Sequence, residues 1–155
     1  MSVTVRAARP ADVEAMSEVL TASIRDLCEP DHGGDAEAIA RWTANKTPEA
    51  VAAMLADDNL RFYVAERDGA VAAVGCIIGR SEIGLNYVHP AHRFAGASKA
   101  LLAAMEAAIR AEGGEEAPLV STVTAHRFYL AAGWEDGGPP EQRFQVACQP
   151  MCKRL

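Results

Sequence analysis

Three strand patterns in succession, with only tight turns between them, constrain this chain more than any other feature. Leu60 to Glu66 and Ala70 to Ile78 are rich in apolar residues, and Arg67-Asp68-Gly69 between them is hairpin-turn chemistry. After the polar break at Gly79-Arg80-Ser81, Glu82 to Val88 makes a third strand that Pro90 ends. Strands joined so closely must run antiparallel, which excludes an all-parallel, doubly wound sheet. Around this meander, Val3 to Arg6 alternates as a short strand. Pro10-Ala11-Asp12 opens a helix whose apolar positions, Val13, Met16, Val19, Leu20 and Ile24, carry it to about Leu27. Pro30 and Gly33-Gly34 read as breaks, Ala36 to Thr43 as a short helix, and Thr47-Pro48 as the start of another ending near Ala56.

Beyond the meander, Ser98 to about Glu112 carries Leu101, Leu102, Met105 and Ile109 on one stripe, and Gly113-Gly114 stops it. Leu119 to Ser121 reads as a strand, Thr124 to Ala132 as a helix closed by Gly133, and Phe144 to Cys148 as a final strand. Glu115-Glu116 reads as a solvated loop. The order predicts a mixed α/β fold (α+β mixed), with a central, mostly antiparallel sheet flanked by helices. Residues 1–155 show no repeat or linker and are expected to form a single domain.

The formal net charge of -6 argues against a general nucleic-acid binder, whose phosphate contacts need a basic surface. It leaves room for one anion held locally by backbone N–H groups and an arginine. Cys28, Cys76, Cys148 and Cys152 form no CxxC pair and no zinc spacing with the histidines, and His89 and His92 flank a proline, so no metal is expected. No apolar run approaches a membrane span, and Met1 to Arg6 lacks a signal-peptide core; the expectation is a soluble, cytoplasmic protein with no membrane partner.

The chemistry concentrates in Asn86 to Leu102, where a strand ends, a short loop bears Arg93 and Gly96, and an apolar helix begins at once. The first N–H groups of a helix have no internal acceptor and sit at the positive end of its dipole. Gly96 allows close backbone approach, while the small residues Ala95, Ala97 and Ser98 keep the mouth open, which suits a phosphate or pyrophosphate. Neither GxGxxG nor GxxxxGK[ST] occurs here, so neither a dinucleotide fingerprint nor a P-loop explains the turn. An ordinary loop-to-helix junction explains it equally well on local physics.

The run Arg93-Phe94-Ala95-Gly96-Ala97-Ser98 resembles the (Q/R)xxGx(G/A) acyl-CoA signature of the GNAT N-acetyltransferase superfamily, with Ser98 where Gly or Ala is usual. The segment Thr122 to Trp134 resembles that family's NxxAxxxYxxxGF stretch, with Thr122 at the asparagine and Trp134 at the phenylalanine. The resemblance implies a GNAT-like sheet and acetyl-CoA (coenzyme A) as co-substrate. Arg93, Phe94, Ala95, Gly96, Ala97 and Ser98 would hold its pyrophosphate, and Tyr87, Val88 and Thr122 its pantetheine arm. It implies that Tyr129 protonates the departing thiolate, although the helical spacing of Ala125, Phe128, Tyr129 and Ala132 equally fits a core tyrosine. It also implies a homodimer, as in many members.

An amine that is cationic at neutral pH cannot attack a thioester until a base removes a proton. Glu82 is the candidate, because in a regular strand it shares a face with Gly84, Asn86 and Val88; a β-bulge, for which Gly84 is a suitable place, would break that parity. His32, Trp42 and Asn86 are candidate acceptor-pocket residues, although a tryptophan such as Trp42 is more often a core anchor. The resulting expectation is direct acetyl transfer to a small-molecule or peptide amine in a ternary complex, with a backbone N–H near Val88 meeting the oxyanion. The rival is a non-catalytic acyl-CoA-binding regulatory module, which needs the Arg93–Ser98 turn but neither Tyr129 nor Glu82.

Overall fold

The computed structural model of the chain describes residues 2–143 and 146–155. Strand β1 (Val3–Ala7) leads through a 3-10 turn at Pro10–Asp12 into helix α1 (Val13–Leu27). Short helices α2 (Glu29–His32), α3 (Ala36–Thr43) and α4 (Pro48–Leu55) follow, then the meander β2 (Leu60–Arg67), β3 (Ala70–Ile78) and β4 (Glu82–Val88). Helix α5 (Ala97–Ala111), β5 (Glu116–Thr122), α6 (His126–Ala131), β6 (Glu135–Asp136), β7 (Glu141–Arg143) and β8 (Val146–Arg154) complete the described chain.

Short side chains set several boundaries. The Asp35 carboxylate accepts the Ala38 N–H at 3.0 Å and starts α3; the Thr47 hydroxyl accepts the Ala50 N–H at 3.1 Å and starts α4. Asp12 is spent differently. Its carboxylate receives both Arg6 Nη atoms at 2.8 Å and the Arg9 N–H at 2.7 Å, tying the turn before α1 to β1. Chiefly through Arg6, this network holds the Asp12 pKa down at about 2.

The sheet order is β1-β2-β3-β4-β5-β8-β6, with β7 added to β8. The meander is antiparallel, as its turns require, while β4 and β5 run parallel. Helix α5 covers one face, where Leu101, Leu102, Met105 and Ile109 meet Ile77, Ile83, Leu119 and Met151 in one buried cluster. Helices α1 and α4 cover the other, where Met16, Val19, Leu20 and Val51 meet Phe62, Val64, Val74 and Cys76. Burying such stripes on both faces supplies the main driving force for the three-layer arrangement.

The mixed, mostly antiparallel sheet flanked by helices is the expected fold, but several bounds differ. Pro30 does not break the chain: it lies in the first turn of α2, where a missing N–H costs no hydrogen bond. Glu116 belongs to β5 rather than a loop, because it pairs with Arg154. Of the expected final strand Phe144 to Cys148, Phe144 and Gln145 lie outside the described residues. The strand itself continues past Cys148 to Arg154, with Pro150 opposite Val120. Among the described residues no helix is long and apolar enough to cross a membrane.

Candidate active site

The site begins with a defect in a strand. Cys76 faces Leu85 and Ile77 faces Ile83, so Gly84 is an extra residue on β4. A Cβ there would lie 2.4 Å from Ile78 Cδ1, so any larger residue would have to displace that side chain. The bulge reverses the strand's facing. Ile83, Asn86 and Val88 point to the α5 side, while Glu82, Leu85 and Tyr87 point to the α1 side. The simple alternation that would group Glu82 with Asn86 and Val88 is thereby overturned.

β4 and β5 meet in parallel register at Ile83 and Leu119. Beyond that pair a cavity of about 330 Å³ opens between them, lined by Gly84 to Val88 from one strand and Val120 to Thr122 from the other. Backbone groups on strand edges that face a cavity rather than a neighbour need partners from a ligand or water. The cavity runs to the start of α5, where Arg93, Phe94, Gly96, Ala97, Ser98 and Lys99 complete its wall.

That start is open. No side chain caps α5, and its N-cap Gly96 adopts φ +83° with nothing within 4 Å of where a Cβ would stand. The free N–H groups of the first turn therefore face the cavity mouth at the positive end of a fifteen-residue helix. Arg93 and Lys99 add positive charge, and the cavity wall, among the described residues, contains no aspartate or glutamate. In a chain of net charge -6 this is a local reversal of sign. The fit is to an anionic ligand with a long, largely apolar arm.

Tyr129, from α6, reaches the cavity from the α5 side and is otherwise buried. Its ring sits edge-on to Phe128 at 5.3 Å and to Trp134 at 6.0 Å. Trp134 in turn donates its indole N–H to Glu106 at 3.1 Å, and Lys153 donates to the same carboxylate at 2.8 Å. Tyr129 is thus held by a packed, hydrogen-bonded wall. Burial pushes its hydroxyl pKa well above the ordinary tyrosine value, with the nearby Asn86 amide opposing. Among the described residues, nothing makes a well-formed hydrogen bond to the buried Asn86 amide, although it lies near enough to Tyr129 to act on that hydroxyl. A buried amide so poorly satisfied is unusual unless a ligand meets it.

The other expected residues divide. Tyr87, Val88 and Thr122 line the cavity, whereas Ala95 lies in the turn without lining it. Thr122 is partly committed, since its hydroxyl accepts the Ala125 N–H at 3.1 Å; its own O–H can still donate. Glu82, His32 and Trp42 do not line the cavity. His32 is buried with one ring nitrogen 2.8 Å from the Ile24 carbonyl and the other accepting the Gly34 N–H at 3.0 Å, so both are used internally. Trp42 packs with Ile24, Cys28 and Cys148, against Tyr87. His89 and His92 stand 6.0 Å apart by ring centroids, and no cluster of three or more metal-ligating residues occurs among the described residues.

Ser23, Leu27 and Cys28, at the end of α1, also line the cavity and had no sequence signal. Lys99 had one: a cation in the first turn of a helix opposes the dipole, which an anion there would reverse.

A domain whose sheet parts beside a parallel strand pair, above an uncapped helix, has the architecture of an acyl-CoA-dependent N-acetyltransferase. The chain belongs to that family: a model of the acetyltransferase (GNAT) domain matches residues 28–155. Solved structures agree in fold. A GCN5-related N-acetyltransferase from Rhodopseudomonas palustris superimposes with a TM-score of 0.89 over 100% of this chain and 97% of its own, at 21% identity. PaiA N-acetyltransferase from Thermoplasma acidophilum, solved in complex with coenzyme A, gives 0.83 over 100% of both chains at 18% identity. Ard1 from Thermoplasma volcanium gives 0.72 over 100% of this chain and 99% of its own, also at 18%. No curated protein matches the sequence. The chain is therefore an N-acetyltransferase of the GNAT family.

Proposed function

We propose that this enzyme acetylates a small-molecule or peptide amine by direct transfer within one ternary complex. The supporting observation is the cavity itself, which joins the edges of β4 and β5 to the uncapped mouth of α5, with no carboxylate on its wall among the described residues. In this reading the N–H groups of the α5 first turn, with Arg93, hold the diphosphate of acetyl-CoA. The edges of Tyr87-Val88 and Thr122 hold the amide-rich pantetheine arm as an added strand. A backbone N–H near Val88, beyond the bulge, steadies the acetyl oxygen as negative charge develops on it.

Tyr129 supplies the proton. Its raised pKa keeps the phenol protonated throughout the working range, ready to donate as charge builds on the departing sulfur in a dry pocket. Glu82, outside the cavity wall, reaches the acceptor amine through water and takes its proton. Asn86 meets the acceptor or the thioester with its poorly satisfied amide. Cys28 is the one thiol on the cavity wall among the described residues, and burial pushes it up to about 12, so it stays neutral at physiological pH and is a poor acyl carrier. That favours transfer without a covalent enzyme intermediate. We place the protein in the cytoplasm, with a homodimer as the assembly to check by light scattering.

The decisive experiment measures free-thiol release from acetyl-CoA against a broad panel of amines. Acceptor-dependent release supports the proposal. Tight coenzyme A binding with no release for any amine would instead establish a non-catalytic acyl-CoA module.

A further inference from the structure

Phe94 is the most exposed large apolar residue described, at 91% of its full accessibility, and it lies within the turn that opens α5. Its backbone adopts φ +65°, a left-handed conformation that bulky residues rarely take because Cβ crowds the neighbouring carbonyl. The chain thus accepts strain to present an aromatic ring to water, and its own packing returns nothing for it. The ring is nonetheless held: the Arg93 guanidinium carbon stands 4.7 Å from its centroid, a cation–π contact covering one face. The other face is open beside the anion mouth.

A solvent-facing ring backed by an arginine next to a diphosphate site suits a flat π-system attached to that diphosphate. Resting on the acetyl-CoA reading above, we propose that Phe94 is the stacking platform for the adenine base of the co-substrate. Arg93 then has two jobs, gripping phosphate oxygens and backing the ring. The pantetheine arm lies inside the cavity between β4 and β5, so the nucleotide end lies outside, where Phe94 is. The consequence is selectivity: the enzyme distinguishes the whole nucleotide carrier from pantetheine fragments that carry the same thioester.

The test is calorimetric binding of coenzyme A and of 4′-phosphopantetheine, which lacks the whole adenosine 3′,5′-bisphosphate half including the base, to the full chain and to Phe94→Gly and Phe94→Trp. Glycine removes the ring and tolerates the left-handed backbone, so the turn keeps its shape. Phe94→Gly is expected to weaken coenzyme A about tenfold, in line with single base–aromatic stacks, and to leave 4′-phosphopantetheine unchanged within about twofold. Phe94→Trp should retain the wild-type preference. Equal losses for both ligands in Phe94→Gly, or no loss for either, overturn the proposal. Failure of the unaltered chain to bind coenzyme A at all would sink the co-substrate assignment first, and this inference with it.

Discussion

The carboxylate of Asp31, in α2, binds Thr124, 93 residues further along the chain, at the entrance to α6. It accepts the Thr124 N–H at 3.1 Å and its hydroxyl, and the Val123 N–H at 2.7 Å. One side chain therefore latches the early helices to the loop that positions Thr122 and Tyr129. Its Thr124 end lines the cavity, and so does Cys28, three residues before Asp31.

Replacing Asp31 with alanine should loosen that entrance. Hydrogen bonds to a charged acceptor are worth more than neutral ones, and a loss of about 2 kcal/mol is expected at this part-buried site. For a chain of this size that lowers the thermal midpoint by roughly 4–8 °C. The KM for acetyl-CoA should rise as well. A variant melting with the parent would show the latch to be idle.

Tyr129→Phe should lower kcat by about a hundredfold while acetyl-CoA affinity stays the same, because only the proton is removed. The raised pKa carries a sign. Below the ordinary tyrosine value the hydroxyl is neutral in any case, and burial extends the neutral form to higher pH. The wild-type rate should therefore show no fall from tyrosine ionisation up to about pH 10. An undiminished kcat in the phenylalanine variant removes Tyr129 from the proton transfer.

Gly96 separates backbone from charge. Gly96→Ala has open space for its methyl group and bears only the left-handed φ, a cost of about 1 kcal/mol that thermal melting will show. Gly96→Asp adds a carboxylate at the mouth, and coenzyme A affinity should fall more than about hundredfold at low salt. Intact calorimetric binding by the aspartate variant would contradict the diphosphate placement.

Glu82→Gln should depress kcat/KM most steeply at low pH, where deprotonating the amine is hardest. The decisive quantity is the acid limb of the pH–rate profile. If that limb matches the parent, Glu82 is a strand residue with no part in the chemistry.

Lys46 offers a test of stability. It is buried, hydrogen-bonded to Asn45 Oδ1, and burial lowers its pKa from 10.5 to about 8. The unfolded chain then holds one more proton than the folded chain between about pH 8 and 10.5, so this residue's contribution to stability rises across that window. Below pH 8 the folded protein keeps a buried charge, so Lys46→Met should stabilise it at pH 7 by about 2 kcal/mol. Denaturant melts at pH 7 and 10 should show that gain shrinking at the higher pH; a constant difference would rule out the titration.

The meander was legible because its signals are local. Asp68 and Gly69 take positive φ at the turn between β2 and β3, as their sequence suggests, and Pro90 closes β4. The Arg93–Ser98 turn was legible for the same reason: a glycine and small residues before an apolar helix restrict what the backbone can do there. Glu82 was harder, because strand parity is a relation between two strands and the extra residue at Gly84 appears only in the pairing with β3. That His32 and Trp42 lie off the cavity wall was not legible, because their partners, Ile24 and Tyr87, come from other elements.

Residue order alone thus determined the longer helices, though not α2, along with the antiparallel meander and the glycine-led start of α5, since each follows from contacts within a few residues. Only the tertiary structure decided which side chains share the cavity. Asp31 meeting Thr124, α1 bringing Cys28 to the wall, and Asn86 arriving beside Tyr129 all depend on packing between distant segments. Burial and the parting of β4 from β5 create that juxtaposition, and no local preference encodes it.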